Sequence, residues 1–342
     1  MEAALWGKAA SWGDQAAVDR ETLPRLWGPD RGGLPRGFKA LVVQVVGGPL
    51  GTPPRYRFWD WLGTSRDRED WWPASTVKVF AAVAALERLR AWGFSPAARV
   101  TFHYGTGDET RVVESLVRRA LTASDNQAFD QLVEVVTGDG LNRWLQQRGF
   151  RDTVLLRGYS HRVMDPDLGV GVLRVSPPRT VWEGSRVREE PGCVGTIREG
   201  CRDLGNCTSL LDLCDLMRRV MIHRDLPEAE RLALGPWEVA LVRSALSRRR
   251  VRGLGVVRGL RQAFLPERIA CFHKPGYAMD WFSDHVFLQR RRGPRDQRTW
   301  IVAMAGQGGR DALDEPARAI GGLIRSGALS AAGSWAPGRP PE

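Results

Sequence analysis

The sequence predicts an α/β (α+β) fold: a mainly antiparallel sheet of about five strands drawn from both ends of the chain, with a helical subdomain inserted between them. Three observations carry this. Residues 40–46 (ALVVQVV) and 55–62 (RYRFWDWL), joined by a Gly/Pro-rich segment, read as two paired strands. Strand-like runs return at 269–273, 282–289 and 299–305. Between these ends, from Ser75 to about Arg250, the apolar period is helical. Strands at both termini with helices between them imply one sheet closed from the two ends of the chain.

Taken in order, residues 1–37 mix Gly, Pro, Trp and charge without a clear period and read as an irregular leader with room for one short helix. The stretch 77–92 is apolar almost all round, as a buried central helix would be. Amphipathic helices are expected over 112–123, 128–136, 141–148, 210–222 and 227–246, and a final helix over 314–325. One large domain is expected over 38–328, its helical subdomain at about 75–250, followed by a disordered tail over 329–342 ending Pro-Gly-Arg-Pro-Pro-Glu.

Composition bounds the function. A chain of 342 residues, 43% hydrophobic and 26% charged, is ordinary for a folded globular protein. Its net charge of +11 is carried almost wholly by arginine, including runs at 248–250 and 290–292. With no nucleic-acid module beside them, these runs read as solvated faces, and no nucleic-acid partner is expected. The five cysteines match no zinc spacing, so no metal site is expected. Cys193, Cys201 and Cys207 share an irregular stretch where one local disulfide is possible, or all are reduced; Cys214 and Cys271 read as buried apolar groups. No apolar run is long enough to span a membrane, and the N-terminal residues lack the pattern of a signal peptide.

Three short motifs carry chemistry. In Ser75-Thr76-Val77-Lys78 a hydroxyl and an amine stand one helical turn apart, the spacing a serine nucleophile needs from its base. Only four lysines occur in the chain, Lys8, Lys39, Lys78 and Lys274. Where only positive charge is wanted this protein uses arginine; a lysine can be driven by burial to a neutral, basic form. Ser124-Asp125-Asn126 falls between two predicted helices, where an N-cap is the plainer reading. Lys274-Pro275-Gly276 ends a predicted strand, where a surface turn is the plainer reading.

In this order, with a strand pair before and strands after, the three resemble the S-x-x-K, S-D-N and K-T-G triplet of class A β-lactamases and penicillin-binding proteins. Trp-Trp-Pro-Ala-Ser leading into the first motif and Asn206-Cys207-Thr208-Ser209 before a Leu-rich helix extend the resemblance to residues 38–328. It implies a serine hydrolase working through an acyl-enzyme, without metal or organic cofactor, on a β-lactam or a D-alanyl-type amide. Ser75 would attack the carbonyl, Lys78 would take its proton, and Ser124 would pass it to the leaving nitrogen. Asn126 would bind the substrate amide, and Lys274 would supply positive charge to Ser124 and to a substrate carboxylate. Gly276 belongs to the same binding strand, and the N–H groups of Ser75 and Tyr277 would form the oxyanion hole. The resemblance also implies work in the periplasm or outside the cell.

The chain departs from that pattern twice. Pro275 stands where the family has threonine, removing a hydroxyl that would help to hold a substrate carboxylate. The stretch 155–167 (LLRGYSHRVMDPD), where the family carries its deacylating glutamate, contains none. Asp165, Asp167, Glu183, Glu189 and Glu190 are the nearest carboxylates and read as solvated. No serine sits in a G-x-S-x-G elbow, so His103, His161 and His285 read as structural. Two alternatives follow: a peptidoglycan DD-carboxypeptidase or transpeptidase-like enzyme, and a non-catalytic binding protein on the same fold.

Overall fold

The computed structural model describes residues 12, 18–27, 33–47, 53–160, 173, 175–196, 201, 205–247, 255–292 and 296–332. The chain divides into two compact units. One, the sheet unit, comprises residues 9–76, 208–231 and 247–342; the other, the helical unit, comprises 77–207 and 232–246 with the first eight residues.

The sheet unit is built on β2 (Lys39–Val46), β3 (Arg55–Asp60), β12 (Ile269–Ala278), β13 (Trp281–Arg292) and β14 (Asp296–Gln307). A two-residue strand β1 (Val18–Asp19) adds a parallel edge, giving the order β1-β3-β2-β14-β13-β12. The five long strands are antiparallel throughout. Register places His273, Val286, Val302, Val42 and Trp59 in one row across the sheet. One residue further along β12, Lys274, His285, Ala303, Leu41 and Asp60 form the next row, on the opposite face.

The first face is largely apolar and packs on α8 (Gly255–Phe264) and α9 (Asp314–Ser326), with one buried pair, His273 and Asp284, 2.8 Å apart. Trp59 and Trp300 stack there with ring centroids 5.6 Å apart. The two helices approach closely because Gly259 has no side chain: a Cβ there would lie 2.1 Å from the Asp314 carbonyl oxygen. Short helices α1 (Thr22–Trp27) and α10 (Ala328–Ala332) complete the unit. The leader expected over 1–37 and the tail expected over 329–342 fall largely outside the described residues.

Helix α6 (Leu210–Met221) packs across β2, β13 and β14 and carries a buried charge cluster. Asp215 accepts from Nε of Arg218 at 2.8 Å and Nε of Arg219 at 3.0 Å. Arg218 also donates to the Tyr56 hydroxyl at 3.1 Å and pairs with Glu230. Burial pushes the Asp215 carboxyl up, but the two guanidinium groups overcome it and hold the group below its ordinary value. Each removed partner leaves charge without compensation inside the protein.

The helical unit is centred on α2 (Lys78–Ala91), whose residues 78–87 are all buried. Around it lie α3 (Val113–Thr122), α4 (Asn126–Val136), α5 (Gly138–Gln147) and α7 (Pro236–Ser247). Phe80 meets Phe150 edge to face at 5.1 Å. Glu87, the buried carboxylate of this helix, is satisfied by Trp144 Nε1, Arg148 and the Ala233 N–H at 2.7–2.8 Å.

Three sequence expectations are corrected here. The helix expected over 227–246 is only a 3₁₀ turn, Glu228–Glu230, followed after Gly235 by α7. The stretch in which helical signals dominate also holds an unexpected four-stranded sheet, ordered β5-β4-β8-β9, of β4 (Arg99–Tyr104), β5 (Gly107–Val112), β8 (Arg179–Glu183) and β9 (Arg186–Glu190). Lys274, Pro275 and Gly276 sit inside β12 and not in a turn. Two-residue pairs, β6 (Val154–Leu155) with β11 (Asn206–Cys207) and β7 (Val175–Ser176) with β10 (Cys193–Val194), finish the unit. Cys201 and Cys207 form a disulfide, Cys193 is free and exposed, and Cys214 and Cys271 are buried. Among the described residues no helix is long and apolar enough to cross a membrane.

Asp215→Asn is expected to lower the stability of the protein by about 3–5 kcal/mol in urea unfolding, because it strips charge compensation from two buried arginines. A loss below about 1 kcal/mol would mean that Glu230 suffices.

Candidate active site

In the sheet unit, Ser75 lies in a 3₁₀ turn, Ala74–Val77, that runs straight into α2. The turn is anchored at the Pro73 carbonyl oxygen, which accepts from Thr76 N–H at 3.2 Å, Thr76 Oγ1 at 2.6 Å and Ser283 Oγ at 3.2 Å. Ala74 adopts φ 48°, a left-handed value costly for a residue with a Cβ. Strand β12 runs beside this turn because residue 276 is glycine. A Cβ at Gly276 would stand 2.4 Å from the Pro73 oxygen and 2.9 Å from the Ser75 nitrogen. Ser75 itself is half-buried and Tyr277 is exposed.

Lys274 is 1% exposed, and its Nζ donates to the Pro275 carbonyl at 3.0 Å. Its cross-strand partner is His285, whose imidazole is held neutral, its pKa lowered to about 3 by burial and then by the neighbouring Lys274 and His273. The neutral imidazole adds no charge of its own beside Lys274.

In the helical unit, Lys78 is 0% exposed and its ammonium donates to the Ser124 carbonyl at 2.6 Å and to Asn126 Oδ1 at 2.7 Å. Its Nζ also lies 5.9 Å from the Phe129 ring centroid and 5.5 Å from that of Tyr159. Burial lowers the Lys78 pKa to about 8, against the opposing pull of Asp130 and Asp125. Ser124 has φ 59°, and this left-handed kink begins the segment that caps α4. Asp125 is the N-cap, accepting from Ala128 N–H at 2.9 Å, so the plainer reading of the motif holds for its middle residue while its flanking residues serve Lys78.

Two residues that motif reading missed complete this arrangement. Asp130, buried on α4, accepts from the N–H groups of Tyr159 at 2.9 Å and Ser160 at 2.8 Å, and from Ser160 Oγ. Tyr159, so held, accepts through its carbonyl from Asn126 Nδ2 at 3.2 Å. Asn206 fixes the preceding residues, accepting from Leu156 and Arg157 N–H at 2.8 and 2.9 Å. The signal for Asp130 was present: an aspartate one helical turn beyond Asn126, on the same face. The role of Tyr159 depends on tertiary return of the loop and left no local sign.

Of the carboxylates near the expected deacylating position, Asp165 and Asp167 lie outside the described residues, as does His161. Glu183 is occupied by Ser95 N–H at 3.0 Å and Arg186 at 2.7 Å, Glu190 by Arg188 at 2.5 Å, and Glu189 is exposed. His103 is held between Asp108 and Thr180, each at 2.9 Å.

The profile of the beta-lactamase enzyme family matches residues 64–324. The chain belongs to that family. Solved structures agree on the fold at low identity. A beta lactamase from Burkholderia vietnamiensis superposes with TM-score 0.55 at 17% identity, covering 90% of this chain and 97% of that one. A class A β-lactamase representative from Bacteroides cellulosilyticus gives 0.57 at 13%, covering 92% and 99%. The structure of PBP-A gives 0.57 at 14%, covering 91% and 99%. No curated protein matches the sequence significantly. Within this beta-lactamase family member, then, Ser75, Lys274, Gly276 and Tyr277 belong to the sheet unit, and Lys78, Ser124 and Asn126 to the helical unit.

Gly276→Ala is expected to push β12 off the Ser75 turn, since the atoms in its way are backbone and cannot rotate aside. Stability should fall by about 1–3 kcal/mol, and any reaction at Ser75 should slow by about a hundredfold. Thermal melts and single-turnover rates measure the two effects.

Proposed function

We propose that the chain is a serine hydrolase acylated at Ser75 by a β-lactam or a D-alanyl-type amide and regenerated by water. The observation that carries this reading is the state of Lys78: three residues beyond Ser75 in the chain, buried, hydrogen-bonded by neutral acceptors, with a pKa lowered to about 8. An amine of that kind is neutral often enough near pH 7–8 to accept a serine proton, which an exposed lysine is not.

The Ser75 oxygen attacks the carbonyl carbon as its proton passes to Lys78. The carbonyl oxygen becomes an oxyanion stabilised by the N–H groups of Ser75 and Tyr277, each donor contributing about 3–4 kcal/mol in such sites. Ser124 returns the proton to the amide nitrogen as the C–N bond breaks, leaving the acyl-enzyme. Lys274 holds positive charge for Ser124 and for a substrate carboxylate. Asn126 orients the substrate amide, for which it must exchange its bond to the Tyr159 carbonyl. Water then releases the acyl group. Such substrates are met in the periplasm or outside the cell, where we place the activity.

A peptidoglycan carboxypeptidase or transpeptidase-like role is the second reading. It is favoured by the described part of the stretch 155–160, which offers no carboxylate, and by the full occupation of Asp130 by Tyr159 and Ser160.

Intact-protein mass after incubation with benzylpenicillin and with a chromogenic cephalosporin, beside Ser75→Ala, tests the proposal. An adduct abolished by Ser75→Ala is expected, its formation rate rising with pH to a plateau above about 8 as Lys78 loses its proton. Accumulation of the adduct favours the penicillin-binding reading and rapid hydrolysis the β-lactamase reading. Folded protein that neither forms an adduct nor hydrolyses would leave the non-catalytic alternative standing.

A further inference from the structure

Within the helical unit, the segment 156–160 that meets Lys78 is tied to a very short ladder. Strands β6 and β11 share only two residue pairs, Leu155 with Asn206 and Val154 with Cys207, and belong to no larger sheet. An isolated strand pair of that kind is marginal in water. One strand is fastened to α5, where Asn142 accepts from the Leu155 N–H and donates to its carbonyl, both at 2.9 Å. The other carries the Cys201–Cys207 disulfide, whose two cysteines pack with Val154 and Leu156 in a small apolar cluster.

Asn206, next to Cys207, passes this anchor on. Its Oδ1 accepts from the N–H groups of Leu156 and Arg157 at 2.8 and 2.9 Å, and its Nδ2 donates to the Arg157 carbonyl at 2.9 Å. The side chain also interacts with that of Tyr159. Tyr159 then reaches the amine in two ways. Its ring stacks on Phe129 at 4.9 Å and lies 5.5 Å from Lys78 Nζ. Its carbonyl accepts from Asn126, whose Oδ1 in turn accepts from Lys78 Nζ at 2.7 Å.

The charged groups acting on the amine are Asp130 and Asp125. Asp125 is tied to Arg119 at 2.7 Å; elsewhere on α3 and α4, Glu114 is tied to Arg118 and Glu134 to the Tyr104 hydroxyl. Asp130 accepts instead from the N–H groups of Tyr159 and Ser160 and from Ser160 Oγ. Loosening 156–160 therefore acts on Lys78 in one direction. Water reaches the amine and Asp130 is released to pair with it, and both changes favour the ammonium form.

We propose that the Cys201–Cys207 disulfide is an oxidative lock on the base: it holds Asn206 and, through Tyr159, keeps the Lys78 amine dry and out of an ion pair. Oxidised, the amine can take the Ser75 proton; reduced, it is held as ammonium and Ser75 is left without its base. The lock rests on the reading of Lys78 as that base. The oxidising surroundings in which we place the activity also keep such a disulfide closed.

Cys201 is partly exposed, and dithiothreitol is the reductant used. One of its thiolates bonds the Cys201 sulfur, the Cys201–Cys207 bond breaks, and Cys207 leaves as a thiolate that takes a proton. The second thiol of the reductant then displaces Cys201 as a thiol and closes the oxidised ring. Protein carrying labelled lysine is titrated by NMR before reduction, after it and after reoxidation, while near-UV circular dichroism and amide spectra follow the fold. The Lys78 midpoint, about 8 in the oxidised protein, should rise to about 9 or above on reduction and return on reoxidation. Acylation at pH 7 should slow about tenfold, because the neutral fraction of the amine falls by that factor. Asn206→Ala should raise the midpoint as far without reduction, and reduction should then add nothing.

A midpoint that stays near 8 in reduced, folded protein overturns the lock. So does a reduction that melts the helical unit, for the bond then holds the fold rather than the base. An equal rise in oxidised Asp215→Asn would mean general loosening and would overturn it too. The reduction arm uses the unaltered chain and the titration needs no substrate. Acylation beside an unmoved midpoint therefore refutes the lock and leaves the serine hydrolase reading standing, while a midpoint that moves in protein no substrate acylates upholds the coupling and sinks that reading.

Discussion

An ammonium group held out of water at the start of an apolar helix is the constraint on which the helical unit turns. Burying a charge is costly unless it is paired and hydrogen-bonded, and Lys78 sits on α2, where every residue from 78 to 87 is buried. Its compensation comes from elsewhere in the chain: the carbonyl of Ser124, the amide of Asn126, and the faces of Phe129 and Tyr159. These acceptors are neutral, and the two nearby aspartates are turned to other donors, Asp125 to Ala128 and Arg119, Asp130 to Tyr159 and Ser160. The amine is thus satisfied without a direct ion pair. That balance is what leaves its proton loosely enough held for acid–base work near neutral pH.

The supports extend outward from there. Ser124 accepts a left-handed backbone so that its carbonyl reaches the amine, and Asp125 recovers part of that cost by capping α4. Asp130 holds the 159–160 backbone, Asn206 holds 156–157, and the disulfide of Cys207 to Cys201 adjoins Asn206. The sheet unit shows the same economy. One carbonyl, that of Pro73, gathers three donors and fixes the turn bearing Ser75, and a single glycine lets β12 come alongside. Lys274 is buried beside a histidine that stays uncharged.

The parts legible in the sequence are those with a local signature. The strands at 40–46 and 55–62 and the central helix announced themselves by apolar pattern, and the three motifs by residue type and spacing. Strands β5 (GDETRV) and β9 (RVREE) left no such trace, since they are largely exposed and carry few apolar residues. The helix read over 227–246 was interrupted by Gly235-Pro236, a pair that restarts a helix with proline in its first turn. Pro275-Gly276 looked like a turn but lies in β12, which is an edge strand and can tolerate proline. Tyr159 acquires meaning only when distant segments meet, and no spacing rule reaches that far.

The scarcity of lysine makes the central claim directly measurable. With only four lysines in the chain, selective ¹³C or ¹⁵N labelling gives four side-chain signals, and Lys78→Arg assigns the one that matters. Following them by NMR between pH 6 and 12 should show the Lys78 signal titrating near 8, well below an ordinary lysine at about 10.4. A Lys78 signal that titrates at or above that ordinary value would mean the amine keeps its proton throughout the working range. Lys78 could then not be the base that activates Ser75, and the account given for this site would fail.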